Sequence, residues 1–227
     1  MLSNPFPDSC TFFSSPLAET LSLSPLPEEQ AFIQNFKSES RKRNYLVGRH
    51  LSRKALAEFD PSLSLYFIGT GPQNEPLWPK GFIGSISHSN SYACSIVSQQ
   101  NNTLAVGIDI EPLDRILGQD ISGRICDNTE RAWVKENPNQ ETQRLLTVFA
   151  AKEAVFKALF PLYQEMFWFD AVSLSWDSAQ RRFDAKLLFE PSSFLPEGSV
   201  LPIQIMFEQG HVVASIIVPQ ATLNNDG

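Results

Sequence analysis

Two acidic residues interrupt an otherwise apolar segment of the chain, AVGIDIEP at residues 105–112. Asp109 and Glu111 are two positions apart, so on a β-strand their side chains point to the same face. Burying an ionised carboxylate is costly unless a cation or hydrogen-bond donors compensate for it. A hard divalent cation such as Mg²⁺ would do so, because it takes oxygen ligands and keeps several waters. An edge strand with a solvated acidic face explains the pattern equally well.

A second candidate for chemistry is the segment AAKEAVFK, residues 150–157. Glu153 and Lys157 are four residues apart and therefore share one face of a helix. Phe156 and Phe160 lie on the same side, so the pair is expected at the edge of an apolar stripe, partly sheltered from water. An ordinary surface ion pair is the common alternative. A sheltered glutamate needs a further partner, which makes it a candidate functional residue.

Cationic side chains accompany these acids. His88 falls where one predicted strand turns into the next, within GSISHSNSYACSIV (84–97), and chain turns often carry binding groups. Arg41 and Arg49 lie roughly on one side of a predicted helix with Tyr45 between them, and arginine suits forked contacts with phosphate oxygens. An exposed turn histidine and a solvated basic face are the alternatives. Together with a metal, such groups hold multi-phosphate ligands.

The elements that must position these residues follow the order helix then strands, twice. Helices are predicted over 38–59, around 129–135, and over 142–160, the last ended by Pro161. Strands are predicted at 63–69, 82–87, 92–98, 103–111, 171–176, 182–190, 202–208 and 211–218. We therefore expect an α+β protein with an extended Ser/Pro-rich arm (1–27), a first half (28–111) and a second half (112–227).

Composition narrows the class of protein. The 227 residues carry 25 acidic and 18 basic side chains, a formal charge of -7, so a nucleic-acid partner is not expected. Six basic residues nevertheless fall within 41–54, and none within 1–36. The sequence shows no signal peptide and no apolar run of about 18 residues, so no membrane partner is expected. Three cysteines suggest neither a disulfide framework nor a zinc site. We predict a cytoplasmic protein.

Four motifs, taken together, resemble one enzyme family. They are RNYLVGRHLSRKAL (43–56), GSISHS (84–89), GIDIEP (107–112) and FAAKEAVFKALFP (149–161). Their order and spacing resemble the 4'-phosphopantetheinyl transferases, particularly the monomeric surfactin-type branch and its enterobactin synthase component D group. The likeness runs from about residue 41 to about residue 177. EPLWPKGFIGSISHS (75–89) adds support for this branch.

The resemblance implies a fold and an activity. The fold would be two pseudo-symmetric halves, each a helix with an antiparallel sheet, with the ligand in the cleft between them and a transferase domain at about 104–218. Such enzymes move the phosphopantetheine arm of coenzyme A onto a serine of an apo acyl or peptidyl carrier protein. Adenosine 3',5'-bisphosphate is the other product. A monomer is expected.

The resemblance also implies roles for individual residues. Asp109, Glu111 and Glu153 match the ligands of Mg²⁺, with Mn²⁺ as an alternative. Glu153 is also the candidate base for the carrier serine, directly or through a water. Lys157 would stabilise charge on the pyrophosphate as the bond breaks.

The remaining phosphates of coenzyme A have their own expected contacts. His88 would contact the 3'-phosphate, with Ser87 beside it. Arg41, Arg49 and Lys152 would hold the other phosphates.

One stretch departs from the family. Related sequences often carry a lysine or arginine shortly before the Glu75-Pro76 pair, and this chain has Gln73 there, in GPQNEP. Either Lys80 compensates or the affinity for coenzyme A is lower.

Two other functions stay open at the level of sequence. A catalytically silent subunit that binds coenzyme A or a carrier would be expected to lose one of the three acidic ligands, and all are present. A Mg²⁺-dependent nucleotide phosphohydrolase would lack a docking surface for a carrier. We place that surface in residues 112–141, with Trp133 and Val134 as candidate contacts and core packing of Trp133 as the alternative. The carrier could serve siderophore, other non-ribosomal peptide, polyketide or polyunsaturated fatty acid, or primary fatty acid synthesis.

Overall fold

Two antiparallel sheets, each covered by one long helix, form the framework of the protein. A computed structural model describes residues 1–20, 23–116 and 121–220. The helices are α1 (Pro27–Ile33), α2 (Glu39–Phe59), α3 (Ser122–Ile125), α4 (Asn128–Lys135) and α5 (Glu141–Tyr163). The strands are β1 (Cys10–Pro16), β2 (Gly69–Thr70), β3 (Pro76–Leu77), β4 (Phe82–His88), β5 (Tyr92–Gln99), β6 (Thr103–Pro112), β7 (Val172–Asp177), β8 (Arg182–Leu187), β9 (Val200–Glu208) and β10 (His211–Pro219). The predicted α+β class is confirmed.

The sheet order shows how the two halves are built. The first sheet has the order β1-β5-β4, and helix α2 packs against it. The second has the order β6-β10-β9-β8-β7, and helix α5 packs against β6 and β10. Strand β6 was predicted to end the first half, yet it pairs along its length with β10. By sheet membership, the change from one half to the other therefore falls between β5 and β6 and not near residue 112.

The predicted arm has more structure than an extended tail. Residues 10–16 of it form the edge strand β1, which pairs with β5. Leu2 and Phe6 are buried in one apolar cluster that also contains Ile108 and Val213 of the second sheet and residues of β5. The arm therefore packs across both sheets. Residues 21 and 22 of the predicted arm, and the predicted polar tail after residue 220, lie outside the described residues.

Two predicted element boundaries were wrong for local reasons. The first residues of the strand expected at 63–69 belong to a short 3₁₀ helix, Pro61–Leu65, because the Asp60 side chain accepts the Ser62 N–H and starts a turn; only Gly69 of that range lies in a strand. Helix α5 does not end at Pro161 but continues to Tyr163. A proline this close to the end of a helix disrupts little of it, and Gln164, in the left-handed conformation (φ 59°), closes the helix by donating to Phe160 O at 2.8 Å.

The two sheets meet edge to edge along β4 and β6, and serine hydroxyls join them. The N–H of Ile108 donates to Ser85 Oγ at 3.2 Å, and the N–H of Ile110 donates to Ser87 Oγ at 3.3 Å. Edge strands carry backbone groups that must be paired or covered when buried. The two serine hydroxyls therefore accept backbone N–H groups of β6, as backbone carbonyls do inside a sheet. We call this line of contact between β4 and β6 the serine seam.

Helix α5 crosses β6 at very close range. A Cβ atom placed on Gly107 would lie 2.0 Å from the carbonyl oxygen of Ala154, so only glycine allows this approach. The crossing brings the polar face of α5, with Glu153 and Lys157, over the acidic end of β6. Among the described residues, no helix is both long and apolar enough to cross a membrane.

Candidate active site

The buried carboxylate of Asp109 forms an ion pair with the Lys157 ammonium. Asp109 is 5% exposed, and its Oδ1 accepts from Lys157 Nζ at 2.6 Å and from Ser87 Oγ at 2.8 Å. Burial on its own would lower the pKa of the Lys157 ammonium, but Asp109, together with smaller contributions from Glu153 and Cys94, raises that pKa above its ordinary value. The other carboxylate oxygen, Oδ2, is buried with no hydrogen-bond partner among the described residues. Such an atom is expensive to leave unpaired.

Glu111 and Glu153 belong to the same electrostatic region. Burial raises the pKa of Glu111, as does Asp109, while a salt bridge to Arg115 at 2.6 Å opposes the shift. Burial also raises the pKa of Glu153, and Asp109 and Glu111 add to this shift against the pull of Lys157. Glu153 forms no salt bridge with any described residue. The charge of Asp109 thus affects the pKa of both glutamates, and Glu111 also affects that of Glu153.

The three carboxylates do not form a ready-made metal cage. Within residues 1–20, 23–116 and 121–220, no three His, Cys, Asp or Glu side chains are grouped closely enough to hold a metal ion. Arg115 engages Glu111, and Lys157 engages Asp109. The donor set still suits a hard cation, since all its atoms are oxygens and one of them, Asp109 Oδ2, is buried and unpaired.

Arg41 and Arg49, two of the predicted phosphate ligands, line a cleft together with His88. A cavity of about 210 Å³ is lined by Arg41, Arg49, Asn44 and His88, among others. The His88 Nδ1 lies 3.3 Å from the amide nitrogen of Asn44. Partial desolvation, with Lys157, lowers the pKa of His88, which favours the neutral ring at neutral pH. His88 is therefore placed to form hydrogen bonds, and the charge of this cleft comes from arginine.

The two arginines differ in how they are held. Arg49 is buried, donates to the carbonyls of Ile68 and Gly69 and to the Thr70 hydroxyl, and stacks on the Tyr45 ring at 4.8 Å. Burial lowers the pKa of Arg49 from its high ordinary value. Arg41 is exposed and lies 4.6 Å from the centre of the Phe36 ring. Arg41 is thus the more available of the two for an external anion.

A third cavity, of about 220 Å³, lies beside Glu153 and Lys157. Its other lining residues include Gln73, Glu75, Trp78, Phe156 and Phe160. Gln73, which replaces the basic residue of related sequences, therefore faces the same space as the candidate catalytic pair. Lys80 is exposed and is not among the residues that line this cavity.

Sequence reasoning missed an apolar groove on the other side of Glu153. Its lining includes Phe156, Met166, Phe167 and Trp168, around about 140 Å³. Met166 and Trp168 are 49% and 71% exposed, which is unusual for such side chains. The run MFWF directly after the second long helix was the available signal. Periodicity could not show that this run turns back beside Glu153.

Lys152 and Ser87, both predicted to contact coenzyme A, form their hydrogen bonds with groups inside the protein. The Lys152 ammonium donates to the carbonyls of Ile125 and Phe169 at 2.8 and 2.9 Å and pairs with Glu130 at 2.8 Å. Its side chain is 2% exposed, so it has neither access nor a spare donor for a phosphate. Ser87 is also buried, at 3% exposure, within the serine seam. Both assignments are corrected accordingly.

Of the two predicted carrier contacts, Val134 is buried and Trp133 is partly buried against the core. Trp133 packs against Trp176 and Phe183, with ring centres 5.4 and 5.1 Å apart, and Val134 is 1% exposed. The short amphipathic helix α4 turns this face toward the core of the second half. Val134 is therefore not available for docking, whereas Trp133 is only partly buried and its contact with a carrier stays a prediction. Residues 117–120 of the predicted docking segment lie outside the described residues.

Comparisons with known proteins cover both halves of the chain. Residues 28–98 match the family model "4'-phosphopantetheinyl transferase N-terminal domain", and residues 105–200 match "4'-phosphopantetheinyl transferase superfamily". The chain is 30% identical to 4'-phosphopantetheinyl transferase PptT of Mycobacterium tuberculosis over 202 residues, 86% of this chain and 87% of that protein. It is 34% identical to enterobactin synthase component D of Salmonella typhi over 119 residues, 52% and 48% of the two chains. A crystal structure of holo-[acyl-carrier-protein] synthase from Thermotoga maritima aligns with a TM-score of 0.43 at 18% identity, over 52% of this chain and 65% of that one.

The buried Lys152–Glu130 pair yields a prediction about stability. Lys152→Met should lower the free energy of unfolding by about 3–5 kcal/mol, because it leaves the Glu130 carboxylate buried without its cation. Urea unfolding at neutral pH measures this. The double variant Lys152→Met/Glu130→Gln should recover part of the loss. Wild-type stability of Lys152→Met, together with weaker binding of a phosphorylated substrate, would instead restore the phosphate role of Lys152.

Proposed function

The chain belongs to the 4'-phosphopantetheinyl transferase superfamily, and from that premise we propose how its cleft transfers the phosphopantetheine arm of coenzyme A to a serine of an apo carrier protein. The family models cover both halves, residues 28–98 and 105–200. The observation that carries the proposal is the cluster at the seam, where Asp109 is paired with Lys157 and Glu153 lies in the same region. The second product is adenosine 3',5'-bisphosphate.

Asp109, Glu111 and Glu153 would hold Mg²⁺, with Mn²⁺ as the alternative. The buried, unpaired Oδ2 of Asp109 supports this, because a cation is the natural partner of such an oxygen. The raised pKa values of Glu111 and Glu153 point the same way, since they arise from burial and from carboxylates close together. A bound ion would neutralise the pyrophosphate of coenzyme A and orient it.

Glu153 is the proposed base for the carrier serine. Its raised pKa brings the carboxylate nearer to neutral pH, where a general base is most effective. Glu153 borders both the cavity of about 220 Å³ and the apolar groove. A base at the boundary between two compartments can meet a nucleophile from one and an electrophile from the other.

Lys157 is the proposed electrostatic stabiliser of the leaving group. Its raised pKa keeps the ammonium charged, and its side chain, 27% exposed, lines the cavity shared with Glu153. A fixed positive charge at this position would favour the negative charge that develops as the pyrophosphate bond breaks.

The cleft of about 210 Å³ is the proposed site for the nucleotide end of coenzyme A. His88 would donate a hydrogen bond to the 3'-phosphate, and Arg41 would supply charge. Arg49 contributes mainly by holding the 68–70 segment that borders this cleft. We assign no part in this binding to Ser87 and Lys152, because both are buried and hydrogen-bonded inside the protein.

The proposed partner is a class of proteins, the apo acyl or peptidyl carrier proteins. Its serine has to reach Glu153, so its docking surface should surround the groove that exposes Met166 and Trp168. A siderophore, other peptide, polyketide or fatty acid carrier each fits this requirement. The monomeric state and the cytoplasmic location remain predictions from the sequence.

The first experiment measures the intact mass of an apo carrier after incubation with this protein, coenzyme A and Mg²⁺, with an EDTA control. Transfer adds the phosphopantetheine group, about 340 Da from its chemical formula. A gain that EDTA abolishes is the expected result. Steady breakdown of coenzyme A without a carrier would favour the phosphohydrolase instead. Tight binding of coenzyme A without a gain on any carrier type would favour the silent subunit.

Glu153→Gln should reduce the transfer rate by about 10²- to 10⁴-fold, because the amide can neither accept the serine proton nor act as an anionic ligand. Initial rates of carrier modification measure the effect, and urea unfolding checks the fold. Glu141→Gln is the matched control, since Glu141 is an exposed residue at the start of the same helix. Near-normal turnover in Glu153→Gln would remove Glu153 from both proposed roles.

His88→Ala should weaken the use of coenzyme A much more than that of 3'-dephospho-coenzyme A. The reason is that only coenzyme A carries the 3'-phosphate that His88 is proposed to bind. The comparison requires the KM of both substrates for the wild type and the variant. An equal rise in both KM values would show that His88 does not recognise this phosphate.

A further inference from the structure

The Ser87 hydroxyl is buried in the serine seam and contacts both members of the Asp109–Lys157 ion pair. It lies 2.8 Å from Asp109 Oδ1, 3.0 Å from Lys157 Nζ and 3.3 Å from the backbone nitrogen of Ile110. We propose that Ser87 is a positioning residue for the transfer reaction, which fixes the orientation of the Asp109 carboxylate and the Lys157 ammonium. This inference rests on the proposed function and replaces the phosphate contact expected from the family resemblance.

A count of protons assigns each of these bonds. A hydroxyl has one proton to donate and two lone pairs to accept with. The backbone N–H of Ile110 and the Lys157 ammonium are donors only, so they take the two lone pairs. The hydroxyl proton must then go to Asp109 Oδ1. Every bonding position of Ser87 is used inside the protein, and none remains for a phosphate.

These bonds determine which oxygen of Asp109 is free. Oδ1 accepts from both Ser87 and Lys157, whereas Oδ2 is buried and unpaired. Two donors on the same oxygen prevent the carboxylate from turning its other oxygen toward Lys157. Without the Ser87 hydroxyl, only Lys157 would hold the carboxylate, and the pair would be free to rearrange. Oδ2 is the atom offered to a metal ion, so Ser87 would act on metal binding through Asp109.

Ser85 provides a matched control two residues earlier on the same strand. It is 3% exposed, as Ser87 is, and its Oγ accepts the N–H of Ile108 across the same seam. Its hydroxyl makes no recorded hydrogen bond to Asp109 or Lys157. Ser85→Ala and Ser87→Ala therefore remove the same kind of seam contact, and only Ser87→Ala also releases the Asp109 carboxylate.

The test compares the two alanine variants by transfer kinetics and by Mn²⁺ binding to the free protein, followed by electron paramagnetic resonance. Hydrogen-bond partners of metal ligands typically contribute about 10- to 100-fold in affinity or activity. Ser87→Ala should lose about that factor in kcat and in Mn²⁺ affinity, with the KM for coenzyme A within about twofold of wild type. Ser85→Ala should keep kcat, KM and Mn²⁺ affinity within about twofold. The urea unfolding midpoint should fall in both variants, and further in Ser87→Ala, because only that variant also loses a hydrogen bond to a buried carboxylate.

Three results would overturn the proposal. A raised KM for coenzyme A in Ser87→Ala, with kcat and Mn²⁺ affinity retained, would restore the phosphate contact. Equal kinetic losses in both variants would reduce Ser87 to a structural part of the seam. Absence of Mn²⁺ binding by the wild-type protein would leave Asp109 Oδ2 with no ion to be positioned for. Absence of transfer by the wild type would reject the proposed function separately, because Mn²⁺ binding is measured without either substrate.

Discussion

The ion pair between Asp109 and Lys157 is the interaction on which the site depends. It joins the edge strand of one sheet to the long helix that crosses that strand, and the residue that completes it, Ser87, comes from the other sheet. Removing one partner of a buried pair leaves the other charge uncompensated, which costs far more than the pair contributes when intact. The acids, the helix and both sheets are therefore tied to one another through a few polar atoms. Gly107 permits this arrangement, because any side chain there would push α5 away from β6.

The sequence was informative about the residues whose spacing reflects a regular element. Two acids at strand spacing and a Glu–Lys pair at helical spacing each predicted a shared face, and the structure brings Asp109, Glu153 and Lys157 into one region. The long helices and most strands were predictable for the same reason, since their apolar periods are strong. The fold class followed from the order of these elements.

The wrong predictions share a different cause. A sequence pattern predicts which face of a helix or strand a side chain lies on, but not which residue it contacts there. Lys152 directly precedes Glu153, and the rotation of about 100° from one helical residue to the next points them in different directions. Lys152 therefore meets Glu130 in the interior. Trp133 has the size of an interface anchor, and its partly buried ring packs against Trp176 and Phe183 of its own half. Ser87 looked like a phosphate ligand beside His88, although alternation along a strand sends neighbours to opposite faces. That alternation, SISHS, was the signal that could have placed Ser87 inside and His88 outside.

The serine seam also has a mechanical consequence. Within each sheet, strands are locked by ladders of backbone bonds, whereas the recorded bonds between β4 and β6 run through single hydroxyl groups on rotatable side chains. Sliding or twisting of one half against the other would thus strain these hydroxyls before it strained either ladder. One of them holds Asp109. Any movement of one half relative to the other would therefore also change the alignment of Asp109 and Lys157.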